Sequence, residues 1–388
     1  MADYKIKVRR FQPESGEGPY WEEFNVDLEP SLSVLDSLLQ VKDREDGSLA
    51  VRCSCRAAIC GSCGMKINGQ SGLGCKTQIG EAQELADKKA SAVGGDTKDN
   101  VIVIEPMGNM PVVKDLITDM ESTHWTKIRR VTPWLLPHGE APEREYIVNP
   151  ESMLDITQSM ACIQCGACVS SCLSMEADPD FIGPAALAKA YRFVGDPRDA
   201  EAKERLHDLA EDPHGIYDCT HCFSCIDACP KDVAPMDQIM RLRRKAGEEG
   251  IEDPNSGHAH EIAFVKVIEK KGTLDEAMLV QESYAPGIKG KLKPSKRGLK
   301  ETIKSLPTIL RPLMKRKVKL RQAIPGTHHK LPGDAMNDVK AIYEHAEEHN
   351  EEFNLYIKGD EGELAEIEAD EAREDTAAPT ASEEASNG

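Results

Sequence analysis

No stretch of this sequence approaches the ~18 consecutive apolar residues of a membrane-spanning helix. No apolar leader core follows Met1, and Arg9-Arg10 lacks the apolar segment that trails a twin-arginine signal. These absences imply a cytoplasmic chain. A basic excess is also missing. The net charge of −19 argues against a general nucleic-acid binder. No two cysteines are adjacent, and none occurs before Cys53 or after Cys229. What is present is a chain of 388 residues, 40% hydrophobic and 30% charged, with room for one to three domains. It carries thirteen cysteines. Such clustering in a chain without an export signal reads as metal ligands or redox groups rather than disulfides.

The N-terminal part alternates as half-buried strands do: Tyr4, Ile6 and Val8, then Phe24, Val26 and Leu28. A helix follows Pro30, with Ser31 or Ser33 as N-cap and Leu35, Leu38 and Leu39 facing a core. Met65–Ile67 and Val101–Ile104 supply further strands. Strands, a helix and cysteine loops in this order form the pattern of a β-grasp ferredoxin-like domain over residues 1–110. Residues 111–249 read as helical, with Pro184 and Pro235 opening helices and Ala200–Ala210 forming another. Residues 250–340 form a basic helical extension. From Lys289 to Arg321 there are 13 bases and one acid, and Leu299, Ile303, Leu306, Leu310 and Leu313 make one apolar stripe, interrupted by Pro307 and Pro312. Residues 341–388 read as an acidic, mostly disordered tail, with 11 acids and one base beyond Gly359. The fold class expected is α+β.

The cysteines fall into three quartets. Cys55-x4-Cys60-x2-Cys63 followed by Cys75 has the plant-type [2Fe–2S] spacing. Cys162-x2-Cys165-x2-Cys168-x3-Cys172 has the spacing of the bacterial [4Fe–4S] run. Cys219-x2-Cys222-x2-Cys225-x3-Cys229 repeats it and adds Pro230. Three thiolates two residues apart reach three corners of one cubane, and the fourth points elsewhere. In two-cluster proteins it serves the other cluster. The expected sets are therefore Cys162, Cys165, Cys168 and Cys229 for one [4Fe–4S] centre, and Cys172, Cys219, Cys222 and Cys225 for a second. Zinc is the competing metal, but its sites use two C-x2-C pairs and leave the third and fourth cysteines without a place. Cys53 reads as a buried thiol beside the first cluster. Gly61, Ser62 and Gly64 suit a loop whose N–H groups face cluster sulfurs.

From about Tyr4 to Arg244 the chain resembles the iron–sulfur subunit of succinate dehydrogenase/fumarate reductase. Ser54-Cys55-Arg56, Cys60-Gly61-Ser62-Cys63, Pro111–Met120, Phe181-Ile182-Gly183-Pro184 and Ala190–Phe193 with Asp196 carry the likeness. The resemblance implies an electron-transfer subunit with no substrate-transforming residue of its own. It would lie between the FAD of a flavoprotein subunit and a quinone or other acceptor, peripheral on the inner face of the cell membrane through its partners. Three departures stand out. Cys222 occupies a place where the family usually has no cysteine and holds [3Fe–4S], so a second [4Fe–4S] is expected, with [3Fe–4S] as the alternative. Leu173–Asp178 has neither the proline nor the Trp-Trp pair that usually helps form the quinone pocket. Thr220 replaces the quinone-side histidine, with His221 one place on.

These departures leave two acceptor partners open, a membrane anchor or a subunit with paired-cysteine CCG motifs. The alternative function is an iron–sulfur carrier of a heterodisulfide-reductase-like, glycolate or glycerol-3-phosphate dehydrogenase complex. Many such carriers lack an N-terminal β-grasp cluster, so residues 1–110 favour the first reading. The basic stretch reads equally as a surface for membrane or partner and as a solvated face. His207, His214 and the pairs His258/His260 and His328/His329 lack a matching carboxylate pattern.

Overall fold

The computed structural model describes residues 2–92, 100–137, 144–251, 257–275 and 333–348, with a few single positions between them. The basic stripe of residues 289–321 and the tail beyond Gly359 lie outside the described residues, apart from Lys315. So do His328 and His329. The chain divides into two compact units. Of the described residues, the first holds those in Met1–Arg205 and Cys219–Arg241, the second those in Leu206–Asp218 and Leu242–Leu355. All thirteen cysteines belong to the first unit.

The first unit starts with a five-stranded mixed sheet in the order β2-β1-β5-β3-β4. Strand β1 (Ala2–Arg10) pairs antiparallel with β2 (Tyr20–Leu28), bringing Ile6 opposite Phe24. On its other side it runs parallel to β5 (Val101–Glu105), with Ile6 opposite Ile102. Strand β3 (Gly64–Ile67) pairs antiparallel with both β5 and β4 (Gln70–Leu73). The period-2 alternation puts Ile6, Val8, Val26, Leu28, Ile102 and Ile104 on one buried face. Helix α1 (Val34–Arg44) covers that face with Val34, Leu35, Leu38 and Val41. Ser33 rather than Ser31 is its N-cap, in a reciprocal capping box with Asp36. Helix α2 (Ile79–Ala92) and strand β4 were not expected from the sequence.

The region from Val112 onward does not begin as helix. Strands β6 (Val112–Lys114) and β7 (Ile117–Thr118) form a small hairpin turned by Asp115 at φ 47°. The carboxylate of Asp115 accepts from Arg10 Nε at 3.0 Å, from the Phe11 N–H at 3.0 Å and from the Ala50 N–H at 2.8 Å. Both Arg10 and Asp115 are fully buried, and Arg10 also meets Glu22, Asp46 and Ser48. This network ties the hairpin back onto the sheet, a long-range effect that local periodicity does not show.

A π-helix at Glu121–Trp125 leads into α3 (Thr126–Arg130), and α4 (Pro150–Met160) follows. Next come α5 (Ala167–Ser170), α6 (Leu173–Ala177) and α7 (Pro184–Val194). Helix α7 is apolar nearly all round and forms the centre of this region, with Leu187, Tyr191 and Ala190 fully buried. Helices α8 (Ala202–Glu211), α9 (Ser224–Asp227) and α10 (Pro235–Glu248) complete the cysteine-bearing part.

No seam falls at residue 110 in the contact pattern. The sheet is fastened to the helical region by Ser71 Oγ, 2.7 Å from Ser170 Oγ and 2.9 Å from Ser171 Oγ. Asn109 Nδ2 donates to the carbonyls of Val169 at 2.8 Å and Cys172 at 2.9 Å.

In the second unit, α11 (Gly257–Lys271) is anchored by Arg243, which reaches Glu261 and donates to the Ile216 carbonyl at 2.8 Å. Helix α12 (Gly333–Glu348) continues past position 341, so residues 341–348 are helical where the composition suggested a tail. Two histidines have carboxylate neighbours after all. His207 Nδ1 lies 3.6 Å from Glu211 and His214 Nδ1 3.5 Å from Asp218, each pair four residues apart. Among the described residues no helix is long and apolar enough to cross a membrane.

Candidate metal centres

None of the thirteen cysteines is in a disulfide. The first quartet lies on an irregular loop between α1 and β3 and on the far end of the β3–β4 hairpin. Arg56, Ala58 and Gly61 take left-handed conformations, with φ of 53°, 55° and 72°. This curls the chain so that several N–H groups converge on sulfur. The N–H groups of Ala57, Ile59 and Cys60 point at Cys55 Sγ from 3.4, 3.4 and 3.3 Å. The Ala58 N–H points at Cys75 Sγ, and that of Cys75 at Cys63 Sγ, both at 3.4 Å. A nest of amide dipoles of this kind holds an anionic group. Hydrogen bonds from the Ser62 hydroxyl, together with backbone N–H groups, bring the Cys60 thiol down to about 6. Burial pushes Cys63 up to about 12. Of the loop residues singled out, Ser62 does face sulfur. Gly61 matters for another reason: a Cβ there would stand 2.8 Å from Cys165. Cys53 is half-buried and packs against the hydrophobic core of the sheet.

The other two runs repeat one backbone device. Residues two and four places after the first cysteine have positive φ: Gln164 (56°) and Gly166 (80°) in one, His221 (55°) and Phe223 (63°) in the other. A single helical turn then carries the third cysteine, Cys168 on α5 and Cys225 on α9, and α5 and α9 pack together. That packing exchanges the fourth cysteines. Cys229 falls beside Cys162, Cys165 and Cys168, and the four line one pocket with Ala188 and Pro230 among its walls. Cys172 falls beside Cys219, Cys222 and Cys225.

Burial raises the thiols of Cys162, Cys168 and Cys172, that of Cys165 to about 11 and that of Cys225 to about 12. As free thiols these groups keep their protons. Only a strongly cationic occupant turns several neighbouring buried thiols into thiolates, and loading therefore releases protons. Donors already face the sulfurs: Gln164 Nε2 lies 3.3 Å from Cys162 Sγ, and the Val233 N–H 3.4 Å from Cys229 Sγ. Four-sulfur sets with N–H donors and without competing carboxylate ligands fit iron–sulfur clusters. Around the third quartet, Cys222 and its neighbours Leu173 and Phe223 are exposed. Thr220 pairs with the buried Ser174, whose Oγ lies 3.3 Å from both the Thr220 N–H and its hydroxyl.

Residues 5–124 match the family of the 2Fe-2S iron-sulfur cluster binding domain, and residues 158–233 that of the 4Fe-4S dicluster domain. The chain is 34% identical over 247 residues to the succinate dehydrogenase iron-sulfur subunit of Coxiella burnetii, spanning 63% of this chain and 97% of that one. It is 37% identical over 248 residues to the fumarate reductase iron-sulfur subunit of Mycobacterium tuberculosis, spanning 63% of this chain and 94% of the relative. Among solved structures, the Mycobacterium smegmatis Sdh1 complex in the apo form contains a chain of the same fold. The TM-score is 0.54 at 24% identity, covering 65% of this chain and 98% of that one.

Proposed function

The chain belongs to the family of succinate dehydrogenase and fumarate reductase iron–sulfur subunits, and we propose from its geometry which residues carry the electrons. Cys55, Cys60, Cys63 and Cys75 hold a [2Fe–2S] centre. Cys162, Cys165, Cys168 and Cys229 hold a [4Fe–4S] centre. Cys172, Cys219, Cys222 and Cys225 hold a second [4Fe–4S] centre rather than [3Fe–4S], because Cys222 offers a fourth thiolate. When bound, these clusters supply one-electron oxidation and reduction.

The chain's own residues set the order. The Gly61 loop bears on Cys165, which brings the first quartet against the second. Cys168 neighbours Cys225, which brings the second against the third. Backbone N–H groups at Cys55, Cys63, Cys75 and Cys229 offset thiolate charge and favour the reduced states. The single observation that carries this reading is the exchange of Cys229 and Cys172 between the two runs.

The chain is an electron-transfer subunit of an oxidoreductase complex, and its relatives' names do not favour the glycolate, glycerol-3-phosphate or heterodisulfide alternatives. Work beside a flavoprotein and a membrane subunit follows from the family. On the donor side we place the FAD flavoprotein next to the exposed Cys55–Cys60 loop. On the acceptor side, the Ser174–Thr220 pair stands where the family usually has a histidine. This supports an acceptor arrangement other than the usual quinone pocket, either a different anchor or a CCG-motif subunit. Purification of the intact complex, with iron and sulfide counting and Mössbauer spectroscopy, tests the cluster set. Ten irons per chain are expected by stoichiometry (two, four and four). A colourless zinc protein would overturn it.

A further inference from the structure

The π-helix at Glu121–Trp125 is an uncommon geometry that concentrates at functional sites. It turns His124 inward. The imidazole is 1% exposed, and neither of its ring nitrogens has a hydrogen-bond partner. Oε1 of Gln164 is buried and unpartnered as well. An unpaired buried polar atom is costly, so three in one place need a reason.

They belong to one cluster. The side chain and backbone of Gln164 stand within reach of the His124 ring, although no ring nitrogen meets either at full hydrogen-bond geometry. Trp125 closes the ring in edge-on, with centroids 4.9 Å apart. Gln164 is held at a positive φ between two cysteines, and its Nε2 donates to Cys162 Sγ at 3.3 Å. With Nε2 committed to sulfur, Oε1 is the end of the amide left to accept. Burial keeps the imidazole neutral, its pKa pushed down to about 4. A neutral imidazole has one N–H to give.

We propose that His124 is a positioning residue for the redox centre of Cys162, Cys165, Cys168 and Cys229: its ring N–H closes onto Oε1 of Gln164 and locks the amide with Nε2 aimed at the Cys162 sulfur. The inference rests on the ligand set proposed above. The physical effect is a relay. Each hydrogen bond polarises the next, and the N–H on sulfur withdraws charge from the thiolate and favours the reduced cluster. A histidine that merely filled the core would do none of this, and an aromatic ring of similar size would replace it without consequence.

The test is EPR-monitored potentiometric titration of the intact, cluster-loaded protein. Gln164→Leu is expected to lower the midpoint potential of this one centre. His124→Phe is expected to lower it in the same direction, and the double variant to go no lower than Gln164→Leu alone. An unmoved potential in His124→Phe would overturn the proposal, as would a shift that adds to that of Gln164→Leu. Should His124→Phe load poorly, His124→Asn is compared in the same two backgrounds. A shift that disappears with Gln164→Leu supports the relay, and one that persists there refutes it. Cys162→Ala separates the premise from the inference. If this centre's signal is unchanged in Cys162→Ala, the ligand set is wrong. If it is lost there while His124→Phe leaves the potential unmoved, only the relay is wrong.

Discussion

Gly61 and Cys165 touch, although they belong to different cysteine motifs. A single carbon added at position 61 would stand 2.8 Å from both Cα and Cβ of Cys165. The residue between Cys60 and Cys63 therefore lies directly against the second quartet. Gly61 is also at φ 72°, where side chains are strained. Gly61→Ala should cost about 1–2 kcal/mol from the backbone alone and should push the two loops apart. The expected outcome is a weaker magnetic coupling between the first two centres in the reduced protein, measured by EPR relaxation. Unchanged coupling in a fully loaded variant would show that this contact does not set the spacing.

The exchanged cysteines make a prediction that motif order alone would get backwards. Cys229→Ala should disturb the centre held by Cys162, Cys165 and Cys168, although Cys229 closes the other run. Cys172→Ala should disturb the centre of Cys219, Cys222 and Cys225. Mössbauer spectra of the two variants decide it. Damage confined to each cysteine's own run would refute the exchange.

Cys222 is the residue on which the type of the third centre turns. In wild-type protein prepared without oxygen, the oxidised sample should lack a strong three-iron EPR signal. Cys222→Ser should convert the centre and produce that signal. A strong signal already present in the wild type, and indifferent to Cys222→Ser, would remove Cys222 from the ligand set.

The buried pair of Arg10 and Asp115 should be the most sensitive point of the sheet. Asp115→Ala strands a buried guanidinium and releases the Phe11 and Ala50 N–H groups together. Breaking such a pair costs about 3–5 kcal/mol. Glu22 and Asp46 still face Arg10, so the loss should fall at the lower end. Denaturant unfolding of the loaded protein measures it, and a change under 1 kcal/mol would mean that the remaining acids suffice.

Acid should weaken the same corner. Hydrogen bonds from Ser48 and the charge of Arg10 hold the Asp46 carboxylate at about 2, below its ordinary value. A depressed folded-state pKa gives stability that is present above the unfolded value of ~3.9 and lost as pH falls toward 2. Asp196, where Arg198 and Arg192 outweigh the burial that opposes ionisation, works in the same sense. Asp46→Asn should therefore flatten the pH dependence of unfolding between about pH 4 and pH 2. An unaltered slope would assign that dependence to other carboxylates.

Much of this architecture is legible in the sequence because it is local. Alternation at Tyr4–Val8 and Phe24–Leu28, proline at positions 184 and 235, and the cysteine spacings all act over a few residues. Strand β4 was not legible, since Gln70–Leu73 has no β-branched residue and exists by pairing with β3. The hairpin of β6 and β7 depends on Asp115 meeting Arg10, more than a hundred residues earlier. Helix α12 did leave a signal, in Met336, Val339 and Tyr343, that was lost in the acidic composition around it. The inward turn of His124 follows from the π-helix, and nothing in Glu121–Trp125 announces one.

The uneven exposure of the cysteines has a consequence for the life of the chain before assembly. Cys55 and Cys60 are open at one end and Cys222 at the other, while no ligand of the middle quartet is exposed. Oxygen and peroxide reach thiolates and iron in proportion to access. An unassembled chain is therefore attacked at its two ends first, and the middle centre outlasts both. On the proposed placement, partners docked at those two ends would also be the caps that keep them from corroding.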